Sequence, residues 1–337
     1  MPHWFDAITD KFVRNVANRY MVETGIDAFR VIPEVSSTQL SGYIANYTLA
    51  DWLKIGNVED YKRLGAVESV GDDYAIGKQS YTLEEFAFHK DISKDDRNDY
   101  DNPYDPVRDA VDFVLGRIKR VVMQNMVDTF LKKNVWGTDK DGLDGGDFTV
   151  WDNDSATPVA DVLGWQMEIQ KTTGYKPNKM IMAPDVFTAL KTSSDITAKM
   201  KTTSDKVVTI GMLAKLFELE DIQILDAVNS DGDNFVFANS VLLLYTPNRA
   251  SKFAPSAAYN IVYRNKRAER VGTRRIPMPE KNDALRIEAW IKTCPKIISS
   301  DLGLFADHVL SWSATTESSS SSSSSTSSSA SSSSSAS

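Results

Sequence analysis

The chain of 337 residues carries 38 basic against 46 acidic side chains, and a net charge of −8 argues against gripping nucleic acid as its main task. Its hydrophobic fraction of 42% supplies a core for two ordinary domains or one extended, lobed protein. One cysteine, Cys294, excludes an intramolecular disulfide and a cysteine-based zinc site, and three histidines (His3, His89, His308) do not make a histidine-rich metal centre. No apolar run reaches the roughly 18 residues of a membrane span. The N-terminus also lacks the basic-then-apolar pattern of a secretory signal.

Phe5, Ile8, Phe12, Val16 and Tyr20 recur every three or four residues, the stripe of an amphipathic helix. Such a helix either packs on its own core or forms an arm that docks on a neighbouring subunit. From Ala50 to Ser93 the sequence turns β-like, alternating at Tyr81 and Leu83 and then at Phe86 and Phe88. The phase shift across Glu84-Glu85 predicts a bulge or a change of buried face. The polar loop Ser69 to Gly77 separates the arms of this segment, which reads as a projecting β-hairpin. A two-stranded hairpin is marginal in water by itself, so this one needs cover from elsewhere.

Asp101-Asn102-Pro103-Tyr104-Asp105-Pro106 announces a helix. Val107, Val111, Val114, Ile118, Val122, Met126 and Phe130 follow at helical spacing, predicting a spine of about seven turns that ends near Trp136-Gly137. Beyond it lies an α/β unit. Met180 to Ala183 reads as a strand, and Pro184 opens a helix where its missing N–H costs nothing. Thr209 is placed to cap a second helix carrying Met212, Leu213, Leu216 and Phe217. Strands are then predicted at Ile222 to Leu225, Phe235 to Ala238 and Val241 to Tyr245, with Ser230-Asp231-Gly232-Asp233 as a turn. Three further strands read from AYNIVYRN, ERVGTRRI and ALRIEAWIKTC, followed by a short segment through Trp312. From Ser318 the chain is almost all serine, with no apolar surface to offset ordering entropy, and disorder is expected there.

Chemistry-bearing motifs fail on inspection. Gly71 to Lys78 places five residues between its glycines where a phosphate loop needs four, and Gln79 replaces the magnesium-binding hydroxyl. In Asp139-Lys140-Asp141-Gly142-Leu143-Asp144, Leu143 falls where a calcium loop needs an oxygen ligand. No Gly-x-Ser-x-Gly elbow occurs, and Cys294 beside Pro295 reads as a small packed residue rather than a thiolate. Carboxylate pairs abound without the burial signals that would raise a pKa for acid–base work. The basic run Arg264, Lys266, Arg267, Arg270, Arg274 and Arg275 suits phosphates or, preferably, carboxylates, including those of an adjacent subunit. Catalytic, cofactor-binding and metal residues are therefore not assigned.

The order of these motifs is informative: Trp151-Asp152, Thr173-Gly174, Lys176-Pro177-Asn178, Met180-Ile181-Met182, then Pro184 to Leu190 and Leu213-Ala214-Lys215-Leu216-Phe217, closed by Val241 to Tyr245. This order resembles the major capsid proteins of tailed bacteriophages, the Hong Kong 97-type fold, over about residues 30 to 310. The resemblance implies an α+β chain divided into an N-terminal arm (1–49), an extended β-hairpin loop (50–93) and a peripheral domain (94–155) with its spine helix at 104–136. An axial α/β domain (156–255), returning peripheral strands (256–312) and a serine-rich tail (313–337) complete it. It implies a non-enzymatic shell protein without cofactors, forming hexamers and pentamers of an icosahedral head around double-stranded DNA. Phe5, Phe12, Arg63, Tyr74, Lys78, Arg267, Arg270, Arg274 and Arg275 would then touch neighbouring subunits. Some relatives crosslink a loop lysine to an asparagine; Lys54, Lys62 and Lys78 lie in the matching region, but no partner asparagine or activating glutamate is matched. No long coiled coil precedes residue 50, so a separate scaffolding protein is expected, with portal and decoration proteins, no membrane, and a place in the virion after assembly in the host cytoplasm. The alternatives are an encapsulin-type compartment shell, an α/β enzyme with an unrecognised carboxylate site, and a nucleic-acid binder using Arg264 to Arg275.

Overall fold

The computed structural model describes residues 17, 30–47, 76–98, 105–143, 146–200, 208–227, 235–250, 255–265 and 269–311. The N-terminal stripe apart from its neighbour Ala17, the loop 69–75, the turn 230–233 and the serine-rich tail lie outside them.

Strand β11 (Ala284–Ile297) organises a first five-stranded sheet with β1 (Glu34–Ser37), β4 (Glu84–Ile92), β9 (Ala258–Tyr263) and β10 (Val271–Met278). It runs antiparallel to β10, β4 and β9, and β1 joins β9 in parallel. Its period-two pattern buries Leu285, Ile287, Ala289, Ile291 and Thr293 while Arg286, Glu288 and Lys292 stay partly exposed. Against β11 and β4 lies α2 (Pro106–Phe130), the spine, preceded by the short α1 (Lys94–Asn98). Asp105 caps α2 by accepting from the backbone N–H of Val107 at 3.0 Å and of Arg108 at 3.3 Å, and Pro106 fills the first turn. The stripe Val111, Val114, Ile118, Val122, Met126 and Phe130 is buried, as its spacing requires.

The spine ends at Phe130, short of Trp136. Asn134 adopts a left-handed φ of 62°, and the Trp136 indole folds back to donate to the Phe130 carbonyl at 2.7 Å. The reversal puts Trp136 over the helix end, where it satisfies one of the last carbonyls.

A second sheet has the order β5-β12-β8-β6-β7, from β5 (Thr138–Asp141), β6 (Lys179–Met182), β7 (Asp221–Ile224), β8 (Val241–Leu244) and β12 (Gly303–Asp307). Every residue of β6 and β8 is buried, the mark of central strands covered on both faces. Four helices accompany this sheet: α3 (Pro158–Thr173), α4 (Pro184–Thr192), α5 (Ser194–Met200) and α6 (Ile210–Leu216). Thr209 occupies the N-cap position of α6, but its side chain makes no capping bond; its carbonyl takes the N–H groups of Met212 and Leu213 instead. Phe235 to Ala238 is not a strand. A lone bridge, with Val236 N–H donating to the Ala227 carbonyl at 2.8 Å, gives way to Asn239, whose φ of 52° turns the chain. Strands β5 and β12 were not legible in sequence: TDKD is wholly polar, and GLFAD is too short to separate from a loop.

Of the hairpin expected at 50–93, residues 50–75 lie outside the described residues. Among the described residues a two-stranded hairpin pairs β2 (Ser41–Tyr47) with β3 (Ile76–Thr82), antiparallel. Of the second arm expected at Gln79 to Phe88, the part through Thr82 belongs to β3, while the part from Glu84 onward forms β4 of the first sheet. The phase shift at Glu84-Glu85 marks this change of sheet. At the crossing Leu83 is buried, and its N–H donates to the Leu40 carbonyl at 2.8 Å. A Cβ at Gly42 would come within 2.8 Å of the Tyr81 hydroxyl, so that side chain would have to shift to admit one.

Candidate assembly surfaces

Two exposed surfaces stand out. The hairpin shows Tyr43, 74% exposed, and Leu40 at its base, and the hydroxyls of Ser37 and Tyr81, 3.0 Å apart, help hold that base to β1. The second surface lies where β4 packs along α2. Phe88 and Phe113 are both partly exposed with ring centroids 6.1 Å apart, and Val121 is exposed on the same helix. The Lys90 ammonium and the Arg117 guanidinium lie 5.9 Å and 5.6 Å from the Phe113 ring, within cation–π range. Sequence reading gave Phe88 a place in the hairpin; its neighbour Phe113 is found only by knowing that β4 packs on the spine.

The residues expected to touch neighbouring subunits are scattered. Lys78 lies exposed on β3, opposite Ala45. Arg270 pairs with Glu34 at 2.8 Å and Arg274 with Glu288 at 2.6 Å, both within the chain, while Arg264 also reaches Glu34 at 3.3 Å. Arg275 sits on β10 opposite Ile287. Phe5, Phe12, Arg63, Tyr74 and Arg267 lie outside the described residues.

Charged clusters inside the molecule are engaged by protein groups. Asp141, at the end of β5, accepts from the Leu143 N–H at 2.9 Å and contacts His308 Nδ1 at 3.0 Å. The Lys133 ammonium bridges Asp141 and Asp307, 3.3 Å from the latter, and its hydrogen bond to Asp141 pushes its pKa up. Asp141, Asp307 and His308 have the donor atoms and proximity for a metal, but a cation there would have to displace the Lys133 ammonium from both carboxylates. Asp139 accepts from the Asn134 N–H at 2.6 Å, so the acidic loop of the sequence is a strand with a tethered end.

One carboxylate does carry the burial signal that the sequence withheld. Burial pushes Asp161 up, even though it accepts the Trp151 indole N–H at 3.0 Å. Trp151 stacks on Trp165 at 5.7 Å, and Phe148 meets Trp165 edge-on at 5.2 Å. The role of Asp161 is to satisfy an indole inside an aromatic cluster. Cys294 is partly buried and burial pushes its thiol up, which suits a packed neutral side chain.

No protein-family model matches the chain. Its sequence is similar to the major capsid protein of Burkholderia phage BcepMu, 26% identical over 112 residues, covering 31% of this chain and 36% of that one. The match therefore spans about a third of the curated relative's length. In structure the chain is similar to a phage-related protein from Bordetella bronchiseptica, with a TM-score of 0.68 at 18% identity over 90% of this chain and 98% of that one. It is also similar to a virus-like particle from Pyrococcus furiosus (0.54, 10%, covering 88% and 98%) and to the capsid of a native GTA particle (0.51, 12%, covering 91% and 94%). With its mixed helices and sheets, the chain adopts the Hong Kong 97-type fold of phage capsid proteins.

Proposed function

We propose that this chain is a structural major capsid protein that assembles as hexamers and pentamers into an icosahedral phage head around double-stranded DNA. The observation that carries the reading is the hairpin, a two-stranded sheet with exposed Tyr43, on a fold shared with capsid proteins. A two-stranded sheet of this kind gains its stability by covering, and heterologous contacts that close into rings supply the cover. The first sheet with α2 acts as the peripheral lobe and the second sheet as the axial lobe, with the hairpin laid on the next subunit. Lys78, Arg270, Arg274 and Arg275 are assigned to subunit contacts, Arg270 and Arg274 while also holding the chain's own carboxylates. The sequence relative is named as a major capsid protein, which supports a structural rather than a catalytic role. A separate scaffolding protein, a portal and decoration proteins complete the particle, which forms in the host cytoplasm and contacts DNA without reading its sequence.

Expression of the full chain, alone and with its neighbouring genes, followed by electron microscopy and sedimentation, tests this. Rings or closed shells are expected. A chain that stays monomeric at high concentration beside its scaffold would overturn it, and shells filled with protein cargo instead of DNA would redirect it to a compartment.

A further inference from the structure

Helix α3 has a buried and an open side. Val162, Trp165 and Ile169 are buried, while Gly164, Met167 and Lys171, three and four residues apart, are exposed. Met167 is 56% exposed, more than any other large apolar side chain described in the lobe of the second sheet. A Cβ on Gly164 would meet nothing within 4 Å, so the helix surface before Met167 is bare and open to close approach. The neighbouring Glu168 pairs with Lys140 at 3.1 Å, whereas Lys171 has no ion pair among the described residues. The same lobe carries a cleft of about 430 Å³ beside α4, lined by the apolar Pro184, Ala189 and Phe235 and by Asp152, Asp185 and Thr192. Phe235 is 38% exposed there. Asp185 is buried, its two oxygens taken by the N–H groups of Val186 at 2.8 Å and Asn239 at 2.7 Å. Asp152 is exposed and accepts from the N–H of Ser311, at 3.1 and 3.0 Å, and from its hydroxyl, but has no ion pair among the described residues.

We infer that Met167 of one copy of this chain seats in the Phe235 cleft of the next copy, with Lys171 paired to Asp152 there, so that the second-sheet lobes join head to tail. The inference rests on the capsid reading, which calls for heterologous contacts between copies and leaves open which residues of this lobe make them. A heterologous contact needs two different and complementary patches on every copy. Here one patch is an apolar knob with a cation one turn away, and the other is an apolar hollow beside a carboxylate. Neither Met167 nor Lys171 lines the cleft of its own chain. The unbranched, polarisable thioether suits an irregular hollow and gains from contact with an aromatic ring such as Phe235. Lys171 stands about 6 Å further along the helix, and its flexible four-carbon stem carries the ammonium past the seated methionine to the carboxylate. That ion pair is partly solvated, so it fixes the orientation of the contact more than its strength.

The test mixes two full-length chains, both carrying Cys294→Ser. One adds Gly164→Cys or Gln170→Cys, on either side of an intact Met167, and the other adds Thr192→Cys at the cleft. Rings or shells collected by sedimentation are oxidised mildly and mapped by peptide. A bond from 164 or 170 to 192 requires Cα atoms within about 7 Å, and in this mixture it can form only between copies. Its yield should be several-fold above that of a control with Val121→Cys in place of Thr192→Cys. It should fall several-fold when Met167→Ser or Lys171→Glu is added beside the first cysteine, and persist with Lys171→Arg. Particles without the bond, or with a bond that Met167→Ser leaves unchanged, overturn the seating and leave the capsid reading standing. If the chain without added cysteines forms no particles, the capsid reading falls and takes this inference with it. Amide exchange on the unsubstituted chain gives a second reading free of cysteine variants: assembly should slow exchange several-fold along both 164–171 and 184–192, and a rate unchanged from the free chain in either segment overturns the seating.

Discussion

A methyl group on Gly303 would sit 2.1 Å from Cε3 of Trp136, closer than any real contact, and Gly272 bears the same relation to Trp290. Both glycines are seats for an indole. Gly303→Ala should therefore destabilise the chain by about 1–3 kcal/mol, read as a lower urea midpoint at unchanged slope. These pairs were invisible in sequence because their members are distant or meet across β10 and β11 only once the register is known. Electrostatics at this scale yields a second expectation. Arg286 grips Asp91 with two hydrogen bonds of 2.6 and 2.8 Å, and that bonding lowers the Asp91 pKa to about 2. A carboxyl whose pKa falls on folding binds fewer protons folded than unfolded. Its contribution is therefore complete above about pH 4, the ordinary Asp value, and disappears as pH falls through about 2. Arg286→Gln should flatten the dependence of unfolding free energy on pH across that window; an unchanged slope would assign it to other carboxylates. The effect is modest, since the pair is partly solvated.

The spine helix was the most legible element, because its one-sided stripe over 25 residues admits only a helix laid on a sheet. Its start was legible too, and Asp105→Ala should cost about 1 kcal/mol of stability with little change in the native far-ultraviolet spectrum. Its end was not, since Leu131 to Trp136 keeps apolar residues at helical spacing while Asn134 reverses the chain. A polar strand such as β5 has no pattern of its own and exists because β12 offers a parallel edge. Asn239 shows how a side chain can replace a strand: it sits at φ 52°, accepts the Leu310 N–H at 2.5 Å and donates to the Leu310 carbonyl at 3.0 Å. Asn239→Ala leaves those buried groups without partners and strains the backbone, a loss of about 2–4 kcal/mol. Asn239→Gly should recover only the backbone part, a difference that chemical denaturation of the two variants resolves.

For the molecule as a whole, folding and assembly should separate cleanly. Tyr43 is exposed in the single chain, so Tyr43→Asp should shift unfolding by no more than about 0.5 kcal/mol. If the hairpin is the assembly element, the same change should block rings and shells in sedimentation; assembly at wild-type yield would remove Tyr43 from the interface. The fold could be read from the order of elements along the chain, helped by the motifs Lys176-Pro177-Asn178 and Leu213 to Phe217. The exposed surfaces could not, because Phe88 and Phe113 become neighbours only when β4 leaves the hairpin and packs along α2.

That departure has a mechanical meaning. Thr82 closes β3 and Glu84 opens β4, with Leu83 alone between them, buried and bonded to Leu40. The paired strands β2 and β3 are thus rooted in the first sheet through β1 on one side and β4 on the other. A load borne by these two strands cannot be absorbed by a slack connector at Leu83; it passes as torque through that residue into β11 and the spine.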